Sequence, residues 1–450
     1  MQHDLRGEPV SAASAQSLSA YETALVQFHS YTGDPLATLD GALEHDPEFV
    51  LGHLFKVFAL YTTSEQRYAR LAQDALQAAQ ALRGKANPRE RGLIAAAECL
   101  LAGQWQAASR ALDAVLIEHP RDALAIQTAH LMDFYQGDAL NLNRRIARVL
   151  PAWHAGVPGY SYILGMHAFG LEEAGDYTAA ERSGRAALDL QPSDGWAVHA
   201  VTHVMEMQGR VDEGIDWLQS RQRDWAPDGT PNLFAPHNWW HLALFHVDRG
   251  EYDAALGLFD AHLMGPQADM MLVLIDCTAL LWRLRLEGVA VGDRFERVAD
   301  LWQARQDAER GFYAFNDVHA MIAFAATGRG AAASQLQLDM GRTAVEARSS
   351  NGAMTAEVGL PLAQAFRAHA RGAFDSAADL IEGVRDVAHR FGGSHAQRDL
   401  LTLTLIDAAL RAGQPARARH FLNERLTLKP TAWSQRLLQR VHRHAVAQAA

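Results

Sequence analysis

Cysteine is nearly absent from this chain: only Cys99 and Cys277 occur in 450 residues. They sit in separate apolar stretches, which excludes a disulfide framework and a CxxC metal motif and fits a reducing compartment. There is no basic surplus either. Lys and Arg number 41 against 52 Asp and Glu, a formal net charge of -11, so the electrostatic footprint of a nucleic-acid binder is missing. The longest apolar stretch, Met270 to Trp282, is interrupted by Asp276 and too short to span a bilayer. Residues Met1 to Ser19 are polar and lack the apolar core of a secretion signal. These absences predict a cytoplasmic protein with no nucleic-acid partner and no membrane span. Reaction-specific motifs are also missing: no GxSxG elbow, no phosphate loop, no Rossmann glycine fingerprint and no HExxH. Whether the protein is an enzyme stays open at this level.

Prolines are few, and Ala and Leu dominate, which favours helix. Self-similarity then decides the fold class. The unit Ser161 to Asp194 has a small residue for a helix crossing (Ala168), a turn at Gly175-Asp176-Tyr177, small residues Ala180 and Ala187, and a terminal Pro192. Each has a cause: small residues let helices approach, Gly relieves strain at the turn, and Pro stops the second helix. Equivalent glycines recur at Gly103, Gly137, Gly209, Gly250, Gly288, Gly328, Gly372 and Gly413. From Gly103 the intervals are 34, 38, 34, 41, 38, 40, 44 and 41 residues. This predicts an all-α solenoid of about nine to ten tetratricopeptide-like helical hairpins forming an irregular right-handed superhelix, each repeat burying its apolar face against its neighbours. The expected organisation is N-terminal helices with a degenerate repeat over 1–88, repeats with a His/Glu groove over 89–235, and further repeats with a C-terminal helix over 236–450. All three belong to one continuous solenoid.

Several long motifs resemble the tetratricopeptide repeat protein 38 family. They are Asp46-Pro47-Glu48-Phe49-Val50-Leu51-Gly52-His53, Trp196-Ala197-Val198-His199-Ala200-Val201-Thr202-His203-Val204-Met205-Glu206-Met207, His237-Asn238-Trp239-Trp240-His241, Phe315-Asn316-Asp317-Val318-His319 and Gly392-Gly393-Ser394-His395-Ala396-Gln397-Arg398-Asp399. The resemblance implies a repeat fold and carries no activity with it. It also implies that the first helix of each repeat lines a concave face, with the second, fifth, ninth, twelfth and thirteenth places pointing into a groove. On that count Glu172 and Glu173, then His199, His203 and Glu206, then His237, share one stretch of groove. His167 and His241 lie close by.

His199 and His203 are four residues apart, as are His237 and His241, so each pair lies on one helix face. Two such pairs on adjacent helices suit a divalent metal such as zinc, with Glu206 as a carboxylate ligand. They equally suit a small-molecule or peptide site, or a hydrogen-bonded network that fixes the array. Asp276, in an apolar helix start, reads as a cap or as the holder of a groove cation, the cap being the plainer reading. Asp317, next to His319 on the following inner helix, is placed to orient an imidazole, or it or Asn316 caps that helix. His395 and Arg398 follow two glycines at a helix start, where Arg398 can meet a ligand carboxylate or phosphate, or pair with an Asp to lock the last repeats. The function expected is a scaffold whose concave groove holds a partner protein, peptide or small-molecule ligand. The alternative is an enzyme or metal-binding protein with a His/Glu-lined pocket. The ligand candidates are thus His167, Glu173, His199, His203, Glu206, His237, His241, Asp317, His319, His395 and Arg398.

Overall fold

The computed structural model describes residues 2–11, 14–229, 231–309, 311–346 and 349–449. The described chain is almost wholly helical; its one paired ribbon is Gln2–His3 against Pro9–Val10. Helices follow one another as antiparallel hairpins, the architecture of a tetratricopeptide-type α-solenoid. All nine turn glycines read from the sequence adopt positive φ, between 61° for Gly137 and 83° for Gly175. A side chain is strained in that backbone region, so glycine marks the turns for a steric reason. Ahead of Pro88 the chain forms two hairpins, Ala15–Ser30 with Pro35–His45 and Val50–Tyr61 with Ala69–Ala81. Among the described residues no helix is long and apolar enough to cross a membrane.

The hairpin Tyr160–Glu173 with Tyr177–Leu190 shows how sequence becomes packing. Asp176 caps the second helix by accepting the Ala179 N–H at 3.1 Å. Ala168, Ala180 and Ala187 are completely buried at the crossing. A methyl group placed on Gly184 would lie 2.6 Å from Val201, and one on Gly170 would run into the Leu142 carbonyl. The small residues therefore set how closely successive helices approach.

The chain divides into two compact units. The first comprises Met1–Val201, Gln222–Phe234 and Arg348–Ser350; the second comprises Thr202–Arg221, Ala235–Ala347 and Asn351–Ala450. Buried ion pairs hold the first unit. Arg89 bonds Asp122 at 2.6 Å and the Pro9 carbonyl at 3.1 Å, and Arg145 grips Asp133 at 2.7 and 2.9 Å. Removing one partner of such a pair strands a buried charge.

The second unit closes on itself. The helix Met271–Leu286 packs on His395–Arg411, and Ala235–Arg249 packs on the C-terminal helix Ala432–Ala449. Trp282, 1% exposed, donates its indole N–H to Thr404 at 2.9 Å. Arg283 donates to the Ala396 carbonyl at 2.7 Å. Asp248 accepts the Trp433 N–H at 3.0 Å and so caps the last helix. Side chains that would line a groove in an open array are thereby brought into an interior.

Candidate functional site

Most of the predicted His/Glu residues are buried. His203 and His241 are fully buried, Glu206 is 3% exposed and His237 5%. Three of these imidazoles meet inside the second unit. The His203 and His241 rings lie 4.6 Å apart, His237 and His241 4.9 Å, and each ring offers a nitrogen within 4.8 Å of those of the other two. The i, i+4 spacing puts His237 and His241 on one face of Ala235–Arg249, and His203 approaches from the preceding hairpin.

Carboxylates orient two of these rings. His241 Nδ1 pairs with Glu206 Oε2 at 2.8 Å, and His237 Nδ1 with Asp276 Oδ2 at 2.7 Å. A neutral imidazole donating from Nδ1 keeps its lone pair on Nε2. Burial, reinforced by His203, pulls His241 well below the ordinary imidazole value despite the opposing attraction of Glu206. Glu206 goes the other way. Burial alone would favour its neutral form, but Lys429 and His241 hold it well below the usual carboxylate range. The cluster thus pairs a neutral His241 with an ionised Glu206. Burial pushes Asp276 up, against the pull of His237 and Arg283.

Lys429 completes the arrangement. Its ammonium pairs with Glu206 Oε1, while Glu206 Oε2 faces His241, so one carboxylate bridges a cation and an imidazole. Next to it Arg425 grips Asp399 through two bonds of 2.8 Å. Arg425 and Lys429, with the nearby Arg398, line a cavity of about 250 Å³ bordered by Arg385, His389, His395 and Glu424. Arg425 and Lys429 are buried at its base, whereas His389 and His395 stand exposed at its rim.

Several readings of single residues change here. Asp276 does not cap its helix: Met270 holds the cap position, and Asp276 lies more than a turn inside, bonded to His237. Asp317 does not orient His319. It accepts a backbone N–H from Gly311, and burial raises it to about 8. His319 Nδ1 instead bonds the Phe315 carbonyl at 2.8 Å, and burial lowers it to about 4. Arg398 donates to the carbonyls of Gly392 and Gly393, and the lock on Asp399 is Arg425. Ser394 and Gln397 form a capping box, so the polar run after the glycines begins a helix.

His199 lies one turn before His203 on Gly195–Met207, in the part of that helix belonging to the first unit. There it is packed by Phe169, Trp196 and Phe234, with ring centroids 5.1 to 5.4 Å away. Glu173 is buried and His167 half-buried in the same unit, burial lowering His167. Lys429, Asp399 and Arg425 escaped the sequence reading because their partners lie far along the chain. One signal was available for Lys429: the chain has only three lysines, Lys56, Lys85 and Lys429, and this one sits directly before a repeat-ending proline.

No family model matches the chain. Among solved structures it is similar to the APC/C hetero-tetramer Cut9–Hcn1, at 12% identity and a TM-score of 0.45, over 94% of this chain and 76% of that one. It is also similar to yeast Tom70, at 12% identity and a TM-score of 0.29, over 96% and 88%. A third likeness is to the tetratricopeptide domain of P58(IPK), at 13% identity and a TM-score of 0.19, over 89% and 99%. The tetratricopeptide-type fold of this chain rests on its own hairpins and turn glycines.

Proposed function

We propose that this protein is a helical-repeat binding scaffold, akin to the tetratricopeptide repeat protein 38 family, whose second unit receives an acidic group of a partner peptide. The observation that carries this reading is the cavity between His395–Arg411 and Pro415–Leu428. Its lining sets the cations Arg385, Arg398, Arg425 and Lys429 against the carboxylates Asp399 and Glu424. A local cationic excess in a chain of net charge -11 favours an anionic guest. The volume, about 250 Å³, is below that of most drug-sized ligand sites and suits one acidic side chain or a terminal carboxylate. Arg425 and Lys429 are held by their own carboxylates; Arg398, half-buried in the lining and anchored on the Gly392 and Gly393 carbonyls, is the cation assigned here to the guest.

Display of a C-terminal peptide library against the purified full chain tests this. Enrichment of acidic residues is expected. Arg398→Ala, checked for an unchanged melting temperature, should weaken the selected peptides about 10- to 100-fold, the equivalent of losing one charge-assisted hydrogen bond of ~1.5–3 kcal/mol. Absence of acidic enrichment, or full-strength binding to Arg398→Ala, would overturn the reading.

A further inference from the structure

The histidine cluster differs in chemistry from the cationic cavity, although Lys429 borders both. We propose that His203, His237 and His241 form a binding site for a divalent transition-metal ion of the zinc type. The inference does not rest on the peptide-binding reading.

Three observations carry it. First, three imidazoles come together in an interior, each offering a nitrogen within 4.8 Å of the other two. A tetrahedral ion with bonds of about 2.0–2.1 Å to nitrogen draws such atoms together with small ring movements. Second, two of the three rings carry the support that metal-bound histidines use. Asp276 fixes His237 through Nδ1 at 2.7 Å, and Glu206 fixes His241 through Nδ1 at 2.8 Å. A carboxylate on Nδ1 selects the tautomer, orients the ring and raises the basicity of Nε2, the nitrogen then available as a ligand. Third, the supporting carboxylates are themselves anchored. Glu206 is tied to Lys429, and Asp276 is fully buried beneath His237. The stacked contact of His237 on Trp240, with centroids 5.2 Å apart, further restricts that ring.

The donor set also selects the ion. Neutral imidazoles suit zinc, copper, nickel or cobalt and are poor ligands for calcium or magnesium. Lys429, on the far oxygen of Glu206, opposes a second cation, so Glu206 serves here to position His241 and is not a ligand.

Expression in minimal medium supplemented with Co²⁺, followed by metal analysis and visible spectroscopy of the full chain, tests the site. Close to one ion per chain is expected, with the d–d bands of a four-coordinate cobalt centre. Asp276→Asn keeps the size of the side chain and loosens the ring, so in the folded variant about a 10- to 100-fold loss of metal affinity is expected, measured by competition with a chelator. His237→Ala/His241→Ala, shown to be folded by circular dichroism, should bring the metal content close to zero. A metal-free wild type without d–d bands would overturn the site. So would stoichiometric cobalt in the double variant, or an Asp276→Asn affinity equal to wild type. Peptide selection against the metal-free chain reads the cationic cavity alone, so either proposal can fail while the other stands.

Discussion

Lys429→Met is the most informative single perturbation of the second unit. Lys429 and Glu206 lie 223 positions apart, and their pair joins the end of the last hairpin to an inner helix of the same unit. Both side chains are enclosed, at 7% and 3% exposure. Methionine fills similar space without charge, so packing is nearly conserved and Glu206 loses its cation in an interior. Breaking a buried pair from one side costs about 3–5 kcal/mol, because the remaining charge stays desolvated. A unit of this size shifts its melting temperature by ~2–4 °C per kcal/mol. Lys429→Met should therefore lower the transition by about 6–20 °C in scanning calorimetry. Glu206→Gln in the same background removes the stranded charge, so the double variant should recover part of the loss. The coupling energy from the full cycle should exceed about 1 kcal/mol. A Lys429→Met shift below about 2 °C, or strictly additive single effects, would show that the pair does not hold this unit closed.

Three further outcomes follow from the same geometry. Gly209 and Gly328 share nearly the same φ, 69° and 68°, but an added methyl would lie 2.6 Å from the Pro430 carbonyl at the first and meet nothing at the second. Gly328→Ala should cost about 1–2 kcal/mol of backbone strain; Gly209→Ala should cost distinctly more, and equal urea midpoints would refute the contact. Asp194 caps Gly195–Met207 by accepting the Ala197 N–H at 3.0 Å, and burial raises it to about 7. Its stabilising contribution is complete below the unfolded carboxylate value and is lost as pH rises towards 7, up to about 4 kcal/mol in all. Asp194→Asn keeps the acceptor without the charge, so its stability relative to wild type should climb from about pH 4 to about pH 7 and then level off; a flat difference in denaturant midpoints would contradict this. Finally, Thr404→Val removes the acceptor of the buried Trp282 N–H. It should cost about 1–3 kcal/mol, while Trp302, which bonds Thr278 at 2.9 Å, should be unperturbed; an unchanged thermal transition would count against that bond.

The sequence by itself determined the hairpins. A glycine is demanded where the backbone turns left-handed, and alanines where helices cross, so Gly103 through Gly413 and Ala168, Ala180 and Ala187 could be read in a single pass. It also marked the histidine pairs, because the helical period places residues four apart on one face. What it could not supply was the surroundings. Asp276 read as a cap because an acidic residue near a helix start usually is one; only the neighbouring hairpin shows that its partner is His237. Arg398 read as the partner of an Asp that locks the last repeats, yet it bonds backbone carbonyls, and Arg425 from the next helix takes Asp399. Tertiary structure alone decided that the second unit closes, bringing Lys429 to Glu206 and turning an expected groove surface into an interior. The physical reason is range. Turn strain and helix periodicity act within a few residues and leave a mark in the local sequence, whereas desolvation and ion pairing depend on whichever side chains the completed array brings together.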